Sequence, residues 1–370
     1  MPPSEKEQGQ IEIHWDLGTA YDFFISAFVL KEPKRFGVRS SWASGMRARL
    51  QTEDREILDA SLMVLDVPAE WILSLPQPKN VESCLMALAQ IPAKERLARL
   101  AGRSMNNGEY VQEQQLLQSV SLKGSWSGDD LAQFRELRIS QTKARAHVPD
   151  AEDLMLILGA WAEAEAFGEQ YLHALRSYYD VFFKEEERRI ASKLKLALEH
   201  AQLRAKALSS VDLIEEISQG IRYDEMPNIK ELTLVPSYWI DPLVKIHRIG
   251  ETHRLWVFGA RPAEDSLVPG DPIPDALRTS LKALADPTRL RILRYLKQEP
   301  LPLAELAKRL RLRIPTVTHH ILALRLAGLV LIHVQSADKG ARRKFSVRSD
   351  GLEETVQSLK AFLEVDRESI

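Results

Sequence analysis

The chain has 370 residues, of which 45 % are apolar and 28 % are charged, and its net charge at pH 7 is −2. This length accommodates two or three domains, and the single cysteine, Cys84, excludes a disulfide framework and fits a reducing compartment. No apolar run approaches the roughly 18 residues of a membrane-spanning helix, and the polar residues 1–10 lack a signal-peptide core, so we expect a cytoplasmic protein without a membrane partner.

The first half of the chain is predicted to be mostly helical after a disordered tail at residues 1–10. Residues 11–15 alternate between apolar and polar side chains, which predicts a strand. Thr19 is suited to cap the helix that follows, and Pro33 lies beyond its end. Apolar residues at helical spacing predict helices over residues 19–30, 41–50, 52–65, 81–90 and 93–100.

Two long helices are predicted in the middle of the chain. Apolar residues recur at helical intervals over residues 151–184, and again through Leu194, Leu198 and Ala205. The charged run at residues 185–189 lies between them, and we interpret it as a solvated knuckle. No heptad is sustained, so a long coiled coil is not expected.

The secondary structure is predicted to change at Gly220. Strand-like sequences follow at residues 221–223, 231–237, 243–249 and 254–258. We expect these strands to form one small antiparallel sheet, joined by the strand near Ile13. Proline-rich residues 261–274 predict a stiff linker. The predicted fold is α+β and mostly α, with a tail (1–10), a regulatory or dimerisation region (11–260), the linker (261–274) and a C-terminal domain (275–370).

Within the C-terminal domain, two short helices joined by a tight turn are predicted. The first covers residues 303–310. In the second, Pro315 suits the first turn, where its missing N–H needs no partner. Gly328 can close this helix in the left-handed conformation. Such a pair is a helix-turn-helix, whose second helix can enter the major groove of DNA.

The second helix has two distinct faces. At 3.6 residues per turn, Val317, Ile321 and Leu324 share the face that should pack against the domain. His319 lies at the centre of the opposite face, beside Thr316. Polar side chains near the outward N-terminal end of a helix are placed to meet base edges.

A basic hairpin is predicted after the second helix, with strands at residues 330–334 and 344–347 and a turn at residues 338–340. Such a wing can contact phosphates or the minor groove. Residues 275–348 include 16 Lys and Arg against five Asp and Glu, a net charge of +11, so the rest of the chain carries −13. A basic segment in an acidic protein is typical of a phosphate-binding module.

These features predict that the C-terminal domain binds double-stranded DNA. The residues that we expect at the interface are Pro315, Thr316, Thr318, His319, His320, Arg311, Arg313, Arg325, Lys339, Arg342, Arg343 and Lys344.

The sequences LADPTRLRIL from Leu284, PTVTHH from Pro315 and AGLV from Ala327 resemble those of ArsR-type winged-helix transcriptional regulators. The resemblance covers about residues 275–365. It implies a homodimer whose flanking helices, at residues 275–284 and 352–363, pair with each other. It also implies a repressor that binds an inverted-repeat operator until a signal relieves repression.

The chain departs from the family pattern in the turn and on the outward helix face. Arg311 and Arg313 stand where family members often have Gly and Ser, and we hypothesise that these arginines face DNA phosphates. Leu322 and Leu326 replace polar residues that are common on the outward face. They either meet thymine methyl groups or rest against another part of the protein.

A metal-sensing role is disfavoured. Thiolate sensing needs clustered cysteines, but the chain has only Cys84. His319 and His320 are adjacent, so their rings point about 100° apart on a helix and cannot readily chelate one ion. We expect no metal and no cofactor.

Three hypotheses remain for residues 11–260. The region is an effector-sensing or dimerising domain, an enzyme, or a module that recruits another protein. We find no phosphate loop, nucleophile elbow or dinucleotide fingerprint, so no enzymatic activity is expected. The first hypothesis, with a small-molecule effector, is the one we adopt, and a partner-binding or architectural protein is the alternative.

Overall fold

The structure is a computed structural model that describes residues 11–101, 111–141, 150–223, 229–335 and 342–364. The fold is α+β and mostly α, as the sequence predicts. An N-terminal region combines helices with a four-stranded sheet, and a C-terminal region has its own helices and a three-stranded sheet. Among the helices in the described ranges, none is long and apolar enough to cross a membrane.

The N-terminal region is built mainly from helices, many of which are joined by short connections. They are α1 (Thr19–Lys31), α2 (Ser40–Arg47), α3 (Thr52–Val64), α4 (Ala69–Ser74), α5 (Val81–Ala89), α6 (Ala93–Ala101), α7 (Val111–Lys123), α8 (Gly128–Gln141), α9 (Ala151–Ala162), α10 (Ala164–Tyr178), α11 (Lys184–Ala205) and α12 (Ser210–Ile217). Asn80, Asp150 and Ser209 cap α5, α9 and α12 by accepting a hydrogen bond from the first turn. The five helices predicted between residues 19 and 100 are confirmed, with shifted ends.

The strands of the N-terminal region are β1 (Glu12–Trp15), β2 (Ile221–Tyr223), β3 (Glu231–Ser237), β4 (Val244–Arg248) and β5 (His253–Gly259). Four of them form a sheet in the order β1-β3-β5-β4. β1 and β5 both run parallel to β3, and β4 is antiparallel to β5. The predicted antiparallel sheet is therefore wrong, although the strand near Ile13 does join it. The reason is the connection: β4 and β5 form a hairpin beside β3, so β3 and β5 point the same way.

Both faces of this sheet are buried. Leu232 and Trp256 pack with α12 on one face. Val235 and Val257 on the other face belong to the main helical core. Because the sheet is covered on both sides, β3 is buried along its length after Glu231.

α10 and α11 form one nearly continuous helix, joined by a π-helical turn at Tyr179–Phe183. The interpretation of residues 185–189 as a solvated knuckle is wrong, because they lie within the first turns of α11. Glu186 is buried there. It accepts hydrogen bonds from Arg189 Nε (2.9 Å) and Trp239 Nε1 (3.1 Å).

Asp22 of α1 is a buried carboxylate that holds the chain at the end of β3. It accepts hydrogen bonds from the backbone N–H groups of Tyr238 (3.1 Å) and Trp239 (2.9 Å) and from the hydroxyl of Ser237. Burial raises the pKa of Asp22 to about 6, and the three hydrogen bonds oppose that rise only in part.

We expect the unfolding free energy of the wild-type protein, measured relative to that of Asp22→Asn, to fall by roughly 2–3 kcal/mol as the pH rises from about 4 to about 7, through the raised pKa of about 6. In this window the folded protein holds a proton on Asp22 that the unfolded chain has released. Urea denaturation of both proteins at about pH 4 and about pH 7 measures the change. The same stability difference at both pH values would contradict it.

The C-terminal region has a separate apolar core. Its elements are α13 (Asp275–Leu284), α14 (Pro287–Leu296), α15 (Leu303–Leu310), α16 (Ile314–Leu326), β6 (Val330–Gln335), β7 (Arg342–Val347) and α17 (Ser349–Glu364). Asp286 caps α14 by accepting a hydrogen bond from the N–H of Arg289, and Pro287 follows in the first turn. β6 and β7 form the predicted antiparallel hairpin. Leu306 and Phe345 are buried in the core.

The two regions share one sheet, in the order β2-β6-β7. β2 runs parallel to β6, with Ile221 opposite Ile332. Gly220 permits this approach: its φ is +118°, and a Cβ there would lie 3.1 Å from the carbonyl oxygen of Val330. The prediction that β2 belongs to the sheet near Ile13 is therefore wrong. The N-terminal region instead contributes a strand to the C-terminal hairpin.

Residues 261–274 contain neither helix nor strand. Leu267 is buried in the main helical core, and its N–H donates to Asp275 Oδ2 at 2.7 Å. Asp271 forms an ion pair with Arg39. The segment is therefore held against the N-terminal region, and its role as a linker between two domains stays a prediction.

Candidate nucleic-acid interface

The turn at residues 311–313 sets the angle between α15 and α16. Arg311 has a left-handed backbone, with φ 57° and ψ 42°. This conformation brings the N–H of Leu312 to the carbonyl of Ala307 at 3.0 Å. A residue with a Cβ costs roughly 1–2 kcal/mol here, which is why glycine is usual at such a position. Arg313 precedes α16 without a side-chain cap, and both arginine side chains are exposed.

α16 presents one face to the core and another to solvent. Val317, Ile321 and Leu324 are buried, as predicted from their spacing. Gly328 follows in the left-handed conformation, with φ +67°. The exposed residues along the helix are Ile314, Pro315, Thr316, Thr318, His319 and Leu322. The Thr318 hydroxyl donates to the carbonyl of Ile314 at 2.9 Å.

Arg325 does not belong to the exposed face, and its prediction as an interface residue is wrong. Its side chain points into the N-terminal region, where it is buried. Nη1 donates to the carbonyl of Gln219 (2.7 Å), and Nη2 donates to that of Ser218 (2.5 Å). Burial and the nearby charge of Arg348 together lower the pKa of Arg325 to about 10. The guanidinium therefore remains charged at neutral pH.

His320 also departs from the prediction. Its side chain is only 16 % exposed, and its Nδ1 lies 3.9 Å from Oδ1 of Asp286, the cap of α14. The preceding residue, His319, points about 100° away from it around the helix axis and faces solvent. His320 therefore faces α14 rather than the outward side of α16. Within the described ranges, no group of three or more His, Cys, Asp and Glu side chains could hold a metal ion.

The wing is described only along its strands. Arg343 is exposed and Lys344 is half-buried in β7. Arg342 begins β7, opposite Gln335 of β6. Lys339 and the predicted turn lie outside the described residues. A basic strand therefore leads from the core toward the predicted tip.

Some exposed residues near the turn were not predicted at the interface. Lys308 is exposed near the end of α15, and the basic run Lys308-Arg309-Leu310-Arg311 could have signalled it. Neighbouring Arg309 is instead engaged by Glu305 and Glu299. Ile314 is 51 % exposed at the start of α16.

Leu322 and Leu326, for which the sequence analysis leaves two alternatives, have different surroundings. Leu322 is 38 % exposed on the outward part of α16. Leu326 instead lines a cavity between α16 and the N-terminal region. The alternative that a leucine rests against another part of the protein therefore fits Leu326 and not Leu322.

Comparison with known protein families matches residues 284–333 to a family described as a helix-turn-helix domain. The match spans α14, α15, α16 and part of β6, so the C-terminal region contains a helix-turn-helix domain. No curated protein and no solved structure matches the chain.

Removing the Arg325 guanidinium should destabilise the contact between the two regions. We expect Arg325→Met to lower the free energy of unfolding by roughly 2–3 kcal/mol, because two backbone carbonyls lose a charged donor. Urea denaturation followed by circular dichroism measures this change. The control Arg248→Gln removes an exposed arginine of β4 and should change stability by less than about 0.5 kcal/mol. Equal stabilities for the two variants would contradict the anchoring role of Arg325.

Proposed function

We propose that this protein is a one-component transcriptional regulator whose helix-turn-helix binds operator DNA under control of the N-terminal region. The proposal follows the resemblance to ArsR-type regulators and makes the protein a homodimeric repressor. It gives residues 11–260 a regulatory rather than a catalytic role.

The observation that carries the proposal is the outward end of α16. Pro315, Thr316 and His319 are exposed in the first turns of this helix, while its opposite face is buried. Exposed Arg311 and Arg313 lie directly before it. This arrangement suits a helix that enters the major groove, with polar side chains at base edges and arginines at phosphates.

The last turn of α16 contacts the N-terminal region, and this contact supports the proposal that the N-terminal region controls DNA binding. Arg325 is bound to the carbonyls of Ser218 and Gln219. The adjacent strand β6 pairs with β2. A change in the N-terminal region therefore has a direct mechanical route to the helix that would bind DNA.

Selection of bound sequences from a random pool of duplex DNA tests the function. A homodimer should enrich an inverted repeat whose half-sites are centred about one helical turn, roughly 34–36 Å, apart or a multiple of it. The binding should weaken steeply as salt rises. No enrichment and no binding at low ionic strength would refute the proposal.

The two exposed arginines before α16 should act through phosphates. We expect Arg313→Ser to reduce the slope of log binding constant against log salt concentration by about 1, because one phosphate contact is lost. Fluorescence anisotropy at several salt concentrations measures this slope. Arg248→Gln, which removes an exposed arginine of β4, is the matched control and should leave the slope unchanged. An unaltered slope for Arg313→Ser would remove Arg313 from the interface.

The proposed dimer interface lies on α13 and α17. These helices pack on each other, and Leu277 of α13 and Thr355 of α17 are buried. Val356 is 52 % exposed and Leu363 is 65 % exposed on α17. Exposed Leu281 adds to this surface from α13. Exposed apolar side chains at helical spacing favour burial against a second copy.

The double variant Val356→Asp/Leu363→Asp should therefore be monomeric, because two charges would be buried in the dimer. Sedimentation velocity compares its mass with that of the wild-type protein. The control Leu196→Asp/Leu203→Asp changes two exposed leucines of α11 and should leave the mass unchanged. A wild-type monomer, or a variant that still dimerises, would place the interface elsewhere or remove it.

A further inference from the structure

A cavity of about 500 Å³ lies between the N-terminal region and the helix-turn-helix domain. One wall includes Phe36, Asp241 and Arg261, and the other includes Leu277 and Leu326. Pockets for small organic ligands have volumes of roughly 300–1,000 Å³ and combine apolar walls with a few polar groups. The cavity thus has the size and lining of a ligand site.

The hydrogen bonds of Arg261 indicate which group such a ligand would carry. Its side chain is only 6 % exposed. Nη2 donates to the carbonyl of Asp241 at 3.1 Å and reaches Oδ2 of Asp241 at 3.4 Å. Nη1 is buried without a hydrogen-bond partner among the described residues. A buried guanidinium nitrogen that lacks an acceptor is costly, and a carboxylate is the acceptor that matches its geometry best.

The carboxylates of the cavity, by contrast, already have donors. Asp241 accepts from Gln219 Nε2 at 2.6 Å and from Arg261. Asp275 accepts from the N–H of Leu267 at 2.7 Å and pairs with Arg278. The unmatched polar group of the cavity is therefore a donor, which excludes a cationic ligand as the best fit.

We propose that this cavity binds a small organic carboxylate, with Arg261 as the residue that holds the carboxylate. Occupation of the cavity would change the position of α16, and for this second part the inference rests on the proposed function.

The connection from the cavity to α16 is short. The side chain of Gln219 donates to Asp241, and its backbone carbonyl accepts from Arg325 at 2.7 Å. Gln219 has a left-handed backbone, with φ 51°, a conformation that costs a non-glycine residue energy and persists only where its contacts hold it. A ligand carboxylate at Nη1 competes with Asp241 for the charge of the same guanidinium, and Asp241 also holds Gln219. Binding therefore alters the contact of Gln219, and with it the anchor of α16. Such a ligand alters DNA binding because it binds the two arrangements of this anchor with different affinity.

Isothermal titration calorimetry of the full chain tests the ligand class. The probes are benzoate, indole-3-acetate and decanoate, each paired with its uncharged amide. We expect at least one acid to bind roughly tenfold or more tightly than its amide. No binding by any acid, or equal binding of acid and amide, would overturn the assignment.

Three variants locate the site. Arg261→Gln should weaken binding of the acid roughly tenfold or more, and Ala276→Trp should block the cavity from an exposed position of α13. Because Ala276→Trp removes no hydrogen bond, it keeps the test valid if Arg261→Gln fails to fold, as checked by circular dichroism. Arg248→Gln is the matched arginine control and should bind as the wild type does. Unchanged binding by Ala276→Trp would place the ligand elsewhere.

Fluorescence anisotropy with the selected operator tests the coupling. We expect the saturating acid to weaken DNA binding about 5- to 150-fold. Arg325→Met removes the anchor of α16 without changing a residue that lines the cavity, so it should reduce that effect while keeping acid binding. The same DNA affinity with and without the bound acid would overturn the coupling. If the protein without ligand ignores DNA, the proposed function fails, whereas the calorimetry still decides whether the cavity binds carboxylates.

Discussion

The arrangement of this protein depends on the burial of one arginine at the end of α16. Arg325 donates to the carbonyls of Ser218 and Gln219, which lie at the C-terminal end of α12. Carbonyls at the end of a helix lack the N–H donors that a further turn of helix would supply. A charged donor is well suited to such carbonyls, since hydrogen bonds from ionised groups are the strong ones. The parallel pairing of β2 with β6 extends the same contact by backbone hydrogen bonds. The helix-turn-helix domain is consequently fixed to the N-terminal region at the element that the proposed function requires to move.

Three acidic side chains, of which Asp22 and Glu186 are buried and Glu187 is half-buried, link the elements of the N-terminal region. Glu187 accepts hydrogen bonds from the N–H of Val81 (2.9 Å), at the start of α5, and from the hydroxyls of Thr19 and Tyr179. A carboxylate at a helix N-terminus satisfies a free N–H and interacts favourably with the helix dipole. Asp22 and Glu186 hold the Tyr238–Trp239 segment in the same manner. These three carboxylates join α1, α11 and the end of β3 into one unit.

The sequence predicts features that depend on one segment of the chain, but it does not predict contacts between residues that are far apart in the sequence. The inward face of α16 follows from the spacing of Val317, Ile321 and Leu324, because helical periodicity is contained in the segment itself. The burial of Glu186 depends on Trp239, 53 residues away, and that of Arg325 on Ser218, 107 residues away. A charge run and a lone arginine carry no sign of such partners. The direction of β3 and β5 was likewise hidden, because strand order depends on the path of the chain between strands.

The same division explains why α16 suits a switch. In its first turns, Thr316 and His319 are exposed, while Val317 on the opposite face is buried. Its last turn, with Arg325 and Leu326, lies against the N-terminal region and the cavity. A helix is stiff along its axis, because each turn is fixed by hydrogen bonds to the next. A displacement at Arg325 would therefore reach His319 without any rearrangement in between, as the function that we propose requires.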